Sequence, residues 1–125
     1  MVVEIGPRFP LHSGASSRAI LAHLPPAFAG EAVTELRQLR DDFDGEAFLH
    51  ELEGTRLRGY TISHNERGTG GASIAAAFFD RTGNVLGSLS ASGPVFRYPG
   101  DHEPEHAALV VAAAERITGA LRSAS

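Results

Sequence analysis

The chain has 125 residues, 42% of them hydrophobic, enough for one domain around a single core and too few for two ordinary ones. A formal net charge of -4, with 11 Lys+Arg scattered among 15 Asp+Glu, leaves no field to hold a phosphate backbone, so nucleic acid is excluded as a direct partner. Cysteine is absent, which removes a disulfide framework, a thiolate nucleophile and any sulfur ligand for a structural metal.

No basic and apolar leader opens the chain, and no run is long enough to span a bilayer. No membrane contact and a cytoplasmic location follow by default.

Val2, Val3 and Ile5 form a β-prone stretch that stops at Gly6-Pro7, so the chain is expected to open inside a strand. Residues 13–24 carry Gly14, Ala15, Ala19 and Ala22 with Ile20 and Leu21, a helix that Pro25-Pro26 ends. Its alanine-rich face would allow close approach to another backbone. Val33, Leu36 and Leu39 lie on one helical stripe and Phe48, Leu49 and Leu52 on another, with the acidic turn Asp41-Asp42-Phe43-Asp44-Gly45 between them.

Residues 60–62 read as a short strand, followed by the polar, glycine-rich loop Ser63-His64-Asn65-Glu66-Arg67-Gly68-Thr69-Gly70-Gly71. Residues 73–79 are apolar nearly throughout, Asp80-Arg81-Thr82-Gly83-Asn84 has turn chemistry, and Val85, Leu86, Leu89 and Ala91 continue as a second strand, which makes a β-hairpin. After Gly93-Pro94 and a loop through Gly100, Leu109, Val110, Ala113, Ile117, Ala120 and Leu121 recur at helical spacing, a C-terminal helix that should pack on the hairpin's sheet. The sum is an α+β fold, an antiparallel sheet with helices on at least one face and a low strand count.

Three motifs point to catalysis and fail on chemistry. His102-Glu103-Pro104-Glu105-His106 matches the zinc-protease pattern literally, but that mechanism needs both histidines on one unbroken helix. Pro104 is tolerated only in a first turn, so His102 must lie at or before the helix start and the two imidazoles need not share a face. Gly68-Thr69-Gly70-Gly71 lacks the Lys-Ser/Thr ending of a phosphate loop, and strand, not helix, follows it. Ser13, Ser16 and Ser17 lie near His12 and His23, yet there is no Gly-x-Ser-x-Gly elbow, and a serine at a helix start is more often a cap. No enzyme, metal or cofactor is expected.

Ser88, Ser90 and Ser92 alternate with Leu89 and Ala91, which puts three hydroxyls on one side of the strand and apolar groups on the other. The serine side faces either solvent or a ligand; small hydroxyls leave room and both donate and accept, which suits a small carboxylate or carbonyl compound.

Four segments taken in order, Pro10-Leu11-His12-Ser13-Gly14-Ala15-Ser16-Ser17-Arg18-Ala19-Ile20-Leu21-Ala22, Arg56-Leu57-Arg58-Gly59-Tyr60, Ile74-Ala75-Ala76-Ala77-Phe78-Phe79-Asp80 and Leu89-Ser90-Ala91-Ser92-Gly93-Pro94, resemble the effector-binding domain of IclR-family transcriptional regulators. The resemblance runs from about Gly6 to Leu121. It implies a GAF-like curved antiparallel sheet, here incomplete, whose concave side holds a small organic or aromatic acid, in proteins that are usually homodimers or tetramers. It makes residues 1–125 a single partial effector-binding domain, with DNA reached only through a winged helix-turn-helix outside this chain. Carried over by position, Gly14 and Ala15 offer helix amides to the effector, Ser90 and Ser92 lie on the pocket-lining strand, Ser73 on the pocket wall, and Ser63 and Gly71 at the lid loop. At Ser63 and His64 the family often has acidic residues, and at Ser17-Arg18 usually Gly-Lys, which leaves the effector's identity open. A sheet with a bare edge predicts oligomerisation; a pure association module without a pocket is the competing reading, with a zinc hydrolase using His102 and His106 a third, less favoured one.

Overall fold

A computed structural model describes residues 2–5, 14–64, 72–93 and 103–123. Eight elements follow one another: β1 Val2–Ile5, α1 Gly14–Leu21, α2 Pro26–Leu39, α3 Gly45–Arg58, β2 Thr61–His64, β3 Ala72–Phe79, β4 Val85–Gly93 and α4 Glu103–Ser123. The strands form one antiparallel sheet in the order β1-β4-β3-β2. The chain does open in a strand, and β1 pairs with β4 from Val2 opposite Ser90 to Ile5 opposite Gly87.

The hairpin is set by its turn. Asp80 Oδ1 accepts from the Thr82 amide at 2.8 Å, the Thr82 hydroxyl at 2.6 Å and the Asn84 amide at 3.1 Å, while Gly83 supplies the left-handed backbone at φ 89°. The Thr82 hydroxyl, with the turn's amides, holds the Asp80 carboxyl below the usual aspartate range. Register slips between Phe78 and Phe79, so Phe78 faces Gly87, Phe79 faces Val85 and Leu86 is bulged.

α3 is capped at both ends: the Asp44 side chain accepts from the Ala47 amide at 3.0 Å, and Gly59 at φ 89° closes the helix with its amide on Thr55 O. α2 starts without a side-chain cap, with Pro26 in its first turn, where the missing amide costs nothing. The acidic turn between α2 and α3 falls where expected, although Leu39 is 72% and Leu49 44% exposed, so each stripe is one residue narrower than its apolar spacing.

Alternation along β3 sorts the core. Ala72, Ile74, Ala76 and Phe78 face α4 and pack with Ala107, Val110 and Ala114. Ala75, on the opposite face, packs against Ala15 and Ala19 of α1. Helices therefore cover both faces of the sheet. The C-terminal stripe is rotated from its expected position: Leu109 is 63% exposed and Ala120 is exposed, while Ala107 and Ala114 are buried, because the sheet accepts small side chains at the closest approach. α2 and α3 do not touch the sheet's centre but close on the end of α1 through Leu21, Ala32 and Leu52. Pro104 lies in the first turn of α4; His102 lies outside the described residues.

Candidate functional site

On β2, β3 and β4 the face of the sheet beneath α1 is made of small residues, and the pairing registers arrange them in rows. Ser63 lies opposite Ser73, and Ser73 opposite Ser92, so three serines from β2, β3 and β4 form one cross-strand row. The next row runs Thr61, Ala75, Ser90, and the one after it Ala77, Ser88. Since directly opposed residues share a face, and Ala75 meets α1, all three rows belong to the α1 side.

Four of these hydroxyls do not face solvent. Ser88 and Thr61 are 0% exposed, Ser63 7% and Ser90 8%, because α1 lies across this face. That removes the solvent-facing alternative for Ser88 and Ser90. Ser63 and His64 belong to β2 and not to the polar loop: their backbones pair with Ser73 and Ala72, so cross-strand pairing overrides the local loop signal.

α1 is held over the rows by two side-chain bonds to backbone carbonyls. The Ser88 hydroxyl donates to Ser16 O at 2.9 Å, and an Arg18 guanidinium nitrogen donates to Ile62 O at 3.2 Å. Beside them, the Thr61 hydroxyl donates to the Glu51 carboxylate at 3.2 Å, and Arg58 donates to the same oxygen at 2.9 Å. The β2 end of the face thus carries a paired acid and no free negative charge from Glu51.

Of the positions expected at the site, Ser63, Ser73 and Ser92 share one row and Ser90 stands in the next. Gly14 opens α1, and Ala15, 3% exposed, spends its side chain on Ala75, leaving its amide among the first-turn N–H groups that have no partner within the helix. Gly71 and the 68–71 glycine run lie outside the described residues. The serine alternation already puts Ser88 on this face with Ser90 and Ser92, whereas no sequence signal marks Thr61 or Arg18 as part of it. No group of three His, Asp or Glu able to hold a metal occurs among the described residues, and no described helix is long and apolar enough to cross a membrane.

A half-open cavity of about 300 Å³ lies elsewhere, at the end of β3, lined by Ala77, Phe79, Glu115, Thr118, Gly119 and Arg122. It includes none of the expected site residues. Nearby, His23 lies edge-on to Phe79, and burial, followed by the Arg56 charge, lowers its pKa below the ordinary histidine value.

Residues 1–119 match the family described as Bacterial transcriptional regulator IclR C-terminal. Over 94% of its length the chain is 30% identical to the Transcriptional repressor IclR of Escherichia coli, of which it covers 44%. It is 31% identical over 97% of its length to the HTH-type transcriptional repressor AllR of Klebsiella pneumoniae, of which it covers 46%. The chain therefore spans about half the length of these curated relatives, which are named as regulators and not as enzymes. Among solved structures, the C-terminal domain of the E. coli transcriptional regulator KdgR superposes with a TM-score of 0.74 at 28% identity, covering 94% of this chain and 74% of that one. Its α+β architecture and the match across nearly all its residues agree: the chain belongs to the IclR family of bacterial transcriptional regulators and corresponds to that family's C-terminal region.

Proposed function

We propose that residues 1–125 act as one partial effector-binding and oligomerisation domain of an IclR-type regulator, sensing a small organic or aromatic acid on the α1 side of the sheet. The observation that supports this most is the row Ser63, Ser73, Ser92, with Ser90 beside it, on the face that α1 covers, where Ser63 and Ser90 are buried. Hydroxyls there donate to carboxylate or carbonyl oxygens, and the first-turn amides of Gly14 and Ala15 favour an anion. In this reading DNA is contacted by a winged helix-turn-helix outside these residues, the protein works in the cytoplasm, and the assembly is a homodimer or tetramer.

A thermal-shift series with acetate, succinate, benzoate and phenylacetate tests the reading, since a ligand at 100 times its Kd stabilises the folded state by about 2.7 kcal/mol. A saturable rise in Tm that disappears in Ser90→Leu is the expected result. The edge position of β1 favours a second reading, an association module that pairs chains without a ligand pocket. A folded, oligomeric chain that responds to none of the acids would favour it.

A further inference from the structure

We propose that Ser88 and Arg18 are positioning residues, which fix where α1 lies over the serine rows and thereby set the affinity for an acid ligand. The inference rests on the effector reading above and extends it to two side chains it does not use.

α1 is eight residues long, about 12 Å, well short of the length at which a helix holds together alone. Its contact with β3 is made by Ala15 and Ala19 on Ala75. Methyl groups on methyl groups allow close approach but resist sliding poorly at that seat. The large buried side chains of α1, Ile20 and Leu21, stand at its C-terminal end, where Leu21 packs against α2 and α3. Over the serine rows, direction comes from the hydrogen bonds.

The two bonds are placed to supply it. β4 and β2 flank β3 on its two sides. Ser88 reaches α1 from β4, and Arg18 of α1 reaches Ile62 on β2. The helix is thus seated on the central strand and tied to both neighbours, so a displacement across the sheet lengthens one bond or the other. Ser88 is 0% exposed, so its hydroxyl has no water to turn to if Ser16 O moves away. A carbonyl oxygen has two lone pairs, so Ser16 O accepts this bond without giving up its helical one. Ser88 also stands in the row after Ser90, which ties the seat directly to the strand that carries two of the proposed pocket serines.

The test measures amide hydrogen exchange across α1 and benzoate binding in the same chains. Ser88→Ala removes the donor with little change in volume, and Arg18→Met keeps the stem while removing the fork; Arg18→Lys retains a donor and is the conservative control. In each of the first two variants, α1 exchange should quicken roughly fivefold relative to β3, the weight of one net hydrogen bond. Benzoate affinity should fall by a similar factor, with Arg18→Lys recovering most of both effects. Variants that remain folded by circular dichroism yet show unchanged α1 exchange would overturn the proposal. So would faster exchange with unaltered benzoate affinity, since the residues would then be structural only. A wild-type chain that binds no acid of the series would instead sink the effector reading, a failure visible before any variant is made.

Discussion

His23 and Phe79 meet edge to face, their ring centroids 5.0 Å apart and the planes at 88°, which pins the turn after α1 to the last residue of β3. Burial and the Arg56 charge hold the His23 pKa below that of a free histidine, so the folded chain favours the neutral ring. Between the folded pKa and the unfolded value of about 6.5, the unfolded chain binds the extra proton, and stability therefore falls as pH drops through that window. Tm should decrease on acidification from about pH 7.5 to 5.5. The decrease should be smaller in His23→Gln, and equal slopes in the two chains would show that another group is responsible.

Thr118 serves the same strand end from the other side. Its hydroxyl accepts from the Phe79 amide at 3.0 Å, beyond the point where β2 pairs with β3. Thr118→Val keeps the shape and leaves that amide without its acceptor, so urea unfolding should show a loss of about 1 kcal/mol. An unchanged midpoint would mean that water replaces the threonine without cost.

Much of this architecture is readable from local pattern. The hairpin announces itself through Asp80-Arg81-Thr82-Gly83-Asn84, and the apolar side of β4 through Leu89 and Ala91. What local pattern does not carry is the partner. Ser88 and Ser90 of β4 read equally as a wet surface, and only α1, whose Ser16 lies 72 residues from Ser88 in sequence, makes them interior. The same limit explains Ser63: its polar neighbours signal a loop, whereas its strand state comes from pairing with Ser73. Leu109 fits the helical stripe of α4 by spacing, yet alanines occupy the closest approach, a choice made by the sheet's shape and not by hydrophobicity. The expected site residues come from the resemblance, and the alignment of Ser63, Ser73 and Ser92 in one row, with Ser90 in the next, required the register.

Gly59 ends α3 with φ 89° and passes the chain directly into β2. No atom crowds the position where a Cβ would stand, so the strain of Gly59→Ala comes from backbone conformation alone. The variant should lose about 1 kcal/mol in denaturant unfolding. A substitution by Asn, which tolerates the left-handed region better, should lose less; if Ala and Asn cost the same, the backbone there adjusts freely.

The two faces of β3 should respond oppositely to changes in size. Ile74, 0% exposed, packs into the α4 side, so Ile74→Ala leaves a cavity and should cost about 2–5 kcal/mol. Ala75, also 0% exposed, touches Ala15 and Ala19, and there is no room for a longer side chain without lifting α1. Ala75→Leu should therefore destabilise by about 1–3 kcal/mol through overpacking. The faces differ in what else is lost. Lifting α1 opens the serine rows to water, so Ala75→Leu should abolish the rise in Tm that the effector reading expects with benzoate. Ile74→Ala, compared below its own unfolding temperature, should keep that rise because α1 and the rows are untouched. Retention of the rise in Ala75→Leu would place the acid on some other surface of the chain.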